Sequence, residues 1–334
     1  MRPPPYPRCF PERAPKELSV LSEFLQLLRR ASGFHAVRLT PAVSIGMAAH
    51  GNAATTRQAL EVLFASATGD FELILVDDKS PDDTLDVYRE AQDWHRNTRI
   101  FSFTRNLEYC QSVNAFLCHA RGEHLIFLSN DIFAPPAYLR GLLRAAIANP
   151  DVGILRGCSN FVDNLSQLHN VPVGSFQTRE EFFEFADNFA SRHGGEPLVD
   201  ERFLVGDAFL VSRRLIERIG TFDTRFVGYY GDGDFGLRAQ IAGFRVALLR
   251  SAFAYHQRGG NIAYLSEEEQ REKLRRRHER VGVALGEFFR KYSLPMTEAS
   301  ILDIPWERLA QNRFDPALHY VAPMDYADYE LRKD

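Results

Sequence analysis

The chain has 334 residues, 45% of them hydrophobic, so it can bury a sizeable core and has room for one large domain or two modest ones. A formal net charge of -4 excludes a global basic field for nucleic acid, and no apolar run reaches the length of a bilayer-spanning helix. The N-terminus, Met1-Arg-Pro-Pro-Pro-Tyr-Pro-Arg8, lacks the apolar stretch of a signal peptide, so the expected compartment is the cytoplasm. The four cysteines, Cys9, Cys110, Cys118 and Cys158, form no CxxC pair and no metal-ligand spacing, which points to reduced thiols rather than disulfides.

Residues 1 to about 15 are proline-rich and read as an extended arm. Leu18, Leu21, Leu25 and Leu28 then recur at helical spacing, so residues 1–40 are expected to form an arm and an amphipathic helix. Alternation of strands and helices begins after Pro41. Val43 to Met47 reads as a strand, the segment around Thr56 to Phe64 as a helix, and Phe71 to Val76 as a second strand that ends in Asp77 and Asp78. Ser80 is expected to cap the next helix, with Pro81 at its first position and Asp82 and Asp83 in its first turn. Leu85, Tyr88, Ala91 and Trp94 share one face of that helix.

Arg99 to Phe103 is a short strand, and Val113, Phe116, Leu117 and Ala120 mark another helix. The unbroken apolar run Leu125 to Leu128 is too short for a helix and reads as a strand buried on both faces. It stops in Ser129-Asn130-Asp131, where a carboxylate faces the crevice beyond the strand ends of an open α/β sheet. Asp131 is therefore the first candidate for a site residue, and Asp78 the second by the same reasoning.

Helical signal from Tyr138 to about Ile147 precedes a strand at Val152 to Leu155, and the less regular residues 157–200 contain a helix starting at Arg179. Ala208 to Val211 reads as a strand, Ser212 as an N-cap and Gly220 as a helix stop. Asp232 and Asp234 open a helix that Gly243 ends, and the strand from Phe244 leads on to His256. Ser266 with Glu269 makes a capping box for a long helix, which carries Arg271, Lys273, Arg275, Arg276, Arg277 and Arg280. That basic face is read first as solvated, with peripheral contact to the inner face of a membrane as the alternative. A homo-oligomer is left open.

The predicted fold is α/β, a mainly parallel sheet flanked by helices, with helical N- and C-terminal extensions. Expected domains are 1–40 for the arm, 41–260 for the main domain (halves 41–156 and 157–260) and 261–334 for the C-terminal helix and tail. Gly46-Met-Ala-Ala-His-Gly51 does not fit G-x-G-x-x-G and there is no Walker A sequence, so a bound phosphate is expected to be met by a cation rather than a glycine-rich cradle.

Four blocks in the span from Val43 to His256 carry a family resemblance. They are Val76-Asp-Asp-Lys-Ser-Pro-Asp82; Arg105-Asn106 with Asn114; Leu128-Ser-Asn-Asp131; and Ile219-Gly-Thr-Phe-Asp223 followed by Tyr230-Gly-Asp-Gly-Asp234, Leu237-Arg238, Gly243-Phe244 and His256. In order and spacing they resemble the inverting glycosyltransferases of family two, which use nucleotide-sugar donors on the fold called GT-A. The resemblance implies a UDP-, dTDP- or GDP-linked donor, a glycan, lipid-linked or protein acceptor, and Mn2+ or Mg2+. It matches Asp77 and Asp78 to the base and ribose site, Arg105 and Asn130 to the donor side, and Asp131 with His256 to the metal and diphosphate. Asp232 matches the general base, with Asp207 and Asp234 on the acceptor side or in support. Ser129 stands where the first acid of D-x-D is expected, Gly231 where the glutamate of E-D-x-D is, and Leu107-Glu108 where a glycine follows Asn106. The alternative is a nucleotide-sugar or glycan-binding module that has lost its chemistry at Ser129 and Gly231. Nucleotidyl transfer would need a glycine-rich basic loop after the first strand, which this chain lacks.

Overall fold

A computed structural model of the chain describes residues 36–162, 169–257, 266–295 and 303–332. Of the arm and helix expected over residues 1–40, residues 1–35 lie outside the described residues, and a short strand, Val37–Leu39, falls within the rest. The first half runs β1 (Val37–Leu39), β2 (Val43–Ala49), α1 (Ala53–Ser66), β3 (Ala67–Gly69), β4 (Glu72–Asp77), α2 (Thr84–Trp94), β5 (Thr98–Ser102), α3 (Glu108–His119), β6 (His124–Ser129), β7 (Ile132–Phe133) and α4 (Pro136–Ala148). The second runs β8 (Val152–Ser159), α5 (Arg179–His193), β9 (Val199–Asp200), β10 (Ala208–Ser212), α6 (Arg213–Ile219), α7 (Gly231–Ile241), β11 (Arg245–His256), α8 (Glu267–Lys291), α9 (Trp306–Ala310), α10 (Pro316–His319) and β12 (Glu330–Leu331).

A ten-stranded sheet has the order β12-β5-β4-β2-β6-β10-β8-β11-β7, with β9 paired to β11. The expected parallel pairing holds across β5, β4, β2 and β6. Beyond β6 the sheet is mixed, because β10 returns antiparallel between β6 and β8 while β8 and β11 run parallel. Strand alternation sorts the core into two layers: Leu73, Leu75, Ile126 and Leu128 face one cluster, Ile74, Val76, Leu125 and Phe127 the other. That two-sided burial is why β4 and β6 carry unbroken apolar runs. Helices α1, α2, α4 and α5 supply the first cluster; α3, α6, α7, α8 and α9 supply the second.

One helix start differs from expectation. α2 begins at Thr84 rather than Pro81, since the preceding side chains serve a neighbouring loop. Ser80 Oγ accepts from the Gly51 N–H, and Asp82 Oδ2 accepts from the N–H groups of Asn52 and Ala53 while its Oδ1 takes Thr84. The expected caps at Ser212 and stops at Gly220 and Gly243 are found. The tail adds an edge strand, β12, to β5. Much of the basic stripe on α8 is neutralised locally: Arg275 and Arg276 both reach Glu272, and Arg280 reaches Glu108.

Candidate active site

The parallel strands β2, β4 and β6 all end on one edge, with Ala49 opposite Asp77 and Ala48 opposite Ser129. Because β2 lies between β4 and β6, their acidic ends stand two strand spacings apart, roughly 10 Å. Alternation turns Asp78, Ser129, Asp207 and Arg156 toward the layer of α3 and α7, the layer that also carries Asp232.

Asp77 is buried, and its carboxylate accepts from the Ser80 N–H at 3.0 Å and the Ser102 hydroxyl at 3.0 Å. Asp78 is also buried and gives both oxygens to the start of α3, accepting from the N–H groups of Leu107 at 2.6 Å and Glu108 at 2.9 Å. Burial pushes the Asp78 carboxyl above its ordinary pKa despite those donors. Its structural task is to shape the loop on which Arg105 stands exposed. Asn130 spends its amide on the Gly51 carbonyl and the Thr56 hydroxyl, bracing the loop after β2.

Asp131 Oδ2 lies 3.2 Å from His256 Nε2, with both side chains partly exposed. The other ring nitrogen donates to the Phe161 carbonyl at 3.2 Å, and Asp207 Oδ2 is 3.8 Å from it. With oxygens at both nitrogens, the ring pKa is pushed up to about 9: burial opposes the charge, but the bond to Asp131 and the nearby Asp207 outweigh it. Paired bonds between Asn160 and the His256 backbone pin the end of β11 to that of β8.

Among the described residues no group of three acidic, histidine or cysteine side chains is arranged to hold a metal. Asp131 and His256 supply two donors on the solvent side. One carboxylate with one imidazole fits a divalent transition cation such as Mn2+ better than Mg2+, with the remaining ligands from water and substrate phosphates rather than a closed protein cage. A cation taking Nε2 must first displace its proton.

Asp232, in the first turn of α7, accepts from the Gly206 N–H at 2.9 Å and the Gly233 N–H at 2.9 Å. Burial raises its carboxyl pKa, only partly offset by those donors, and the nearby charge of Asp207 adds to the rise. Gly206 is clasped from the other side by the Tyr109 hydroxyl, which donates to its carbonyl at 2.6 Å. A Cβ at 206 would stand 2.0 Å from that hydroxyl and 3.0 Å from the Asp232 Cβ, so only glycine fits between them. Asp207 follows, bound at 3.0 Å by Arg156, which is 1% exposed. A continuous run thus links Asp78, the start of α3, Gly206, Asp232, Asp207, His256 and Asp131.

Asp234 does not join it. It is fully buried and locked between Arg238 at 2.7 Å and Lys291 at 2.5 Å, on the core side of α7. Sequence reasoning missed Arg156, although a charge ending the apolar run of β8 is the same signal that marked Asp131. It also missed Tyr109 and Gly206, which carry no local signal.

Backbone strain borders the same edge. Asn52, Lys79, Glu108 and Tyr230, all non-glycine, hold φ between 57° and 72° in the loops beyond β2 and β4, at the first residue of α3 and just before α7. Such residues persist where surrounding contacts over-determine them, and they cluster at functional sites.

A protein from Sinorhizobium fredii, y4gI, described as uncharacterized, is 22% identical over 246 residues, which are 71% of this chain and 27% of that protein. The chain thus spans about a quarter of the length of that relative. A solved mannosyltransferase from Pyrobaculum calidifontis, PcManGT, in complex with GDP-Man and Mn2+, superposes with a TM-score of 0.52 at 15% identity, covering 87% of this chain and 75% of that one. The likeness is one of fold, the mixed α/β arrangement with a central sheet flanked by helices that GT-A glycosyltransferases share. The model of the family described as Glycosyl transferase family 2 matches residues 44–220, more than half of the sequence, and the chain belongs to that family.

Proposed function

We propose that this chain transfers a sugar from a nucleoside-diphosphate donor to a hydroxyl of a glycan, lipid-linked or protein acceptor, with inversion and with a divalent cation, through a unit spanning residues 41–260. The observation that carries this reading is the run from Asp131 and His256 to Asp232, suited to a cation at one end and a proton at the other. Asp131 and His256 would hold the cation, which supplies counter-charge to the departing diphosphate. Arg105 reaches the donor from a loop that Asp78 shapes, with Asp77 and Asn130 bracing the strand ends beneath it. Each Asp232 oxygen accepts one backbone N–H and keeps a lone pair. The carboxylate takes the acceptor hydroxyl's proton as the new glycosidic C–O bond forms. The bond to the diphosphate oxygen breaks and its electron pair leaves with the diphosphate, so one displacement inverts the anomeric carbon.

The test is a thermal-shift screen of UDP-, dTDP- and GDP-sugars with and without Mn2+. A true donor at 100 times its Kd stabilises the protein by about 2.7 kcal/mol, and Asp131→Asn should remove the metal-dependent part of that gain. No shift with any donor, with or without Mn2+, rejects the reading.

A further inference from the structure

Asp207 and Arg156 have no task in that reaction. Asp207 stands across the β6–β10 pair from Ser129, whose N–H donates to the Asp207 carbonyl at 2.8 Å. Its Oδ1 is fixed by Arg156 Nη2 at 3.0 Å and by the Ala208 N–H at 2.9 Å. Its Oδ2 is the oxygen 3.8 Å from His256 Nδ1, on the side of the ring opposite Asp131. Arg156 also donates from Nη1 to the Val205 carbonyl at 3.0 Å and from Nε to the Gly157 carbonyl at 3.3 Å. A guanidinium buried this deeply loses its hydration, and what it gains here is a fixed orientation for one carboxylate and for the loop that holds Asp232.

We propose that Asp207, held by Arg156, is a positioning residue. It returns, from the neighbouring strand, the carboxylate that Ser129 lacks, and it steadies His256 from the Nδ1 side so that Nε2 is presented together with Asp131 to the cation. Histidines that bind metals commonly have their second nitrogen fixed by a carboxylate or carbonyl, and here the Phe161 carbonyl and Asp207 share that place. The inference rests on the metal-assisted reading above.

The experiment titrates Mn2+ into the full chain by calorimetry in the presence of UDP and, separately, GDP. Asp207→Asn is nearly isosteric and keeps an oxygen for Arg156. It should weaken Mn2+ binding by about 10- to 100-fold while leaving metal-free nucleotide affinity unchanged. Asp207→Glu should recover part of the loss. Unchanged Mn2+ affinity in Asp207→Asn, in a protein whose Asp131→Asn variant does lose the metal, overturns this inference and leaves the broader reading standing. An equal drop in metal-free and metal-dependent nucleotide binding also overturns it, because the role is then general support. A wild-type chain that binds no Mn2+ with either nucleotide removes the reading and the inference together. Should Asp207→Asn fail to fold, Arg156→Lys keeps the charge but loses the fork, and unaltered Mn2+ affinity there is equally fatal.

Discussion

Asp232 is fixed by backbone donors at both oxygens, so replacing it by asparagine keeps its size and one acceptor while removing the proton-accepting charge. We expect Asp232→Asn to bind donor as the wild type does and to lose transfer by about 10²- to 10⁴-fold, the usual contribution of a positioned base. Transfer assays beside donor thermal shifts check this, and unchanged turnover removes Asp232 from the mechanism. Because burial raises its pKa, the base is lost to protonation earlier than an ordinary aspartate as pH falls. The acid limb of the wild-type rate profile should therefore lie above about pH 4. Asp78, Asp131, Asp232 and His256 were legible in the sequence because each ends an apolar strand or opens a helix, where local pattern alone sets position. Tyr109 was not, and Arg156 carried only the strand-end signal without its partner: Gly206 and Asp207 lie 97 and 51 residues away from them, and no local window contains both halves of either contact.

At the scale of elements, periodicity placed the helices and strands flanking the site, and its failures were of partnership. The oxygens of Ser80 and Asp82 looked like caps of their own helix, yet they satisfy N–H groups across the gap to the loop after β2. Strand β10 reads as the same unbroken apolar run whichever way it runs, so pattern could not reveal its antiparallel entry beside β6. The absent glutamate at position 231 has a packing reason of the same kind. A Cβ there would stand 2.3 Å from the Sγ of Cys110 on α3, which is held in place by donating to the Phe226 carbonyl in the loop before α7. Gly231→Ala should thus destabilise the protein by about 1–3 kcal/mol through overpacking, although alanine is the better helix former. Cys110→Ala in the same chain should recover most of that loss. Denaturant unfolding of both singles and the double variant measures the coupling, and additive effects would show that the close contact does not limit position 231.

Across the whole molecule, α8 is joined to the layer bearing Asp232 by a buried ionic cluster. Lys291, near the end of α8 and 1% exposed at its side chain, reaches Asp223 at 2.9 Å and Asp234 at 2.5 Å; Arg238 and the Tyr292 hydroxyl complete the shell of Asp234. Burial would raise both carboxyls. For Asp234 the charges of Arg238 and Lys291 outweigh it, and for Asp223 the bonds from Arg225 and Lys291 do, so both are held below the usual carboxylate range. A carboxyl with a depressed folded pKa contributes stability that is full above its unfolded value, near 4, and is lost as pH falls through the folded one. Lys291→Met leaves the two acids short of counter-charge, and breaking a buried pair from one side costs about 3–5 kcal/mol at pH 7. The deficit should shrink as pH drops below about 4, because protonated acids no longer need the lysine. Since Asp234 lies two residues beyond Asp232 on α7, the same variant should lower turnover more than donor affinity. Denaturant unfolding of the wild type and Lys291→Met from pH 7 to pH 3 decides the matter: a stability difference independent of pH would mean that the lysine acts through packing rather than charge.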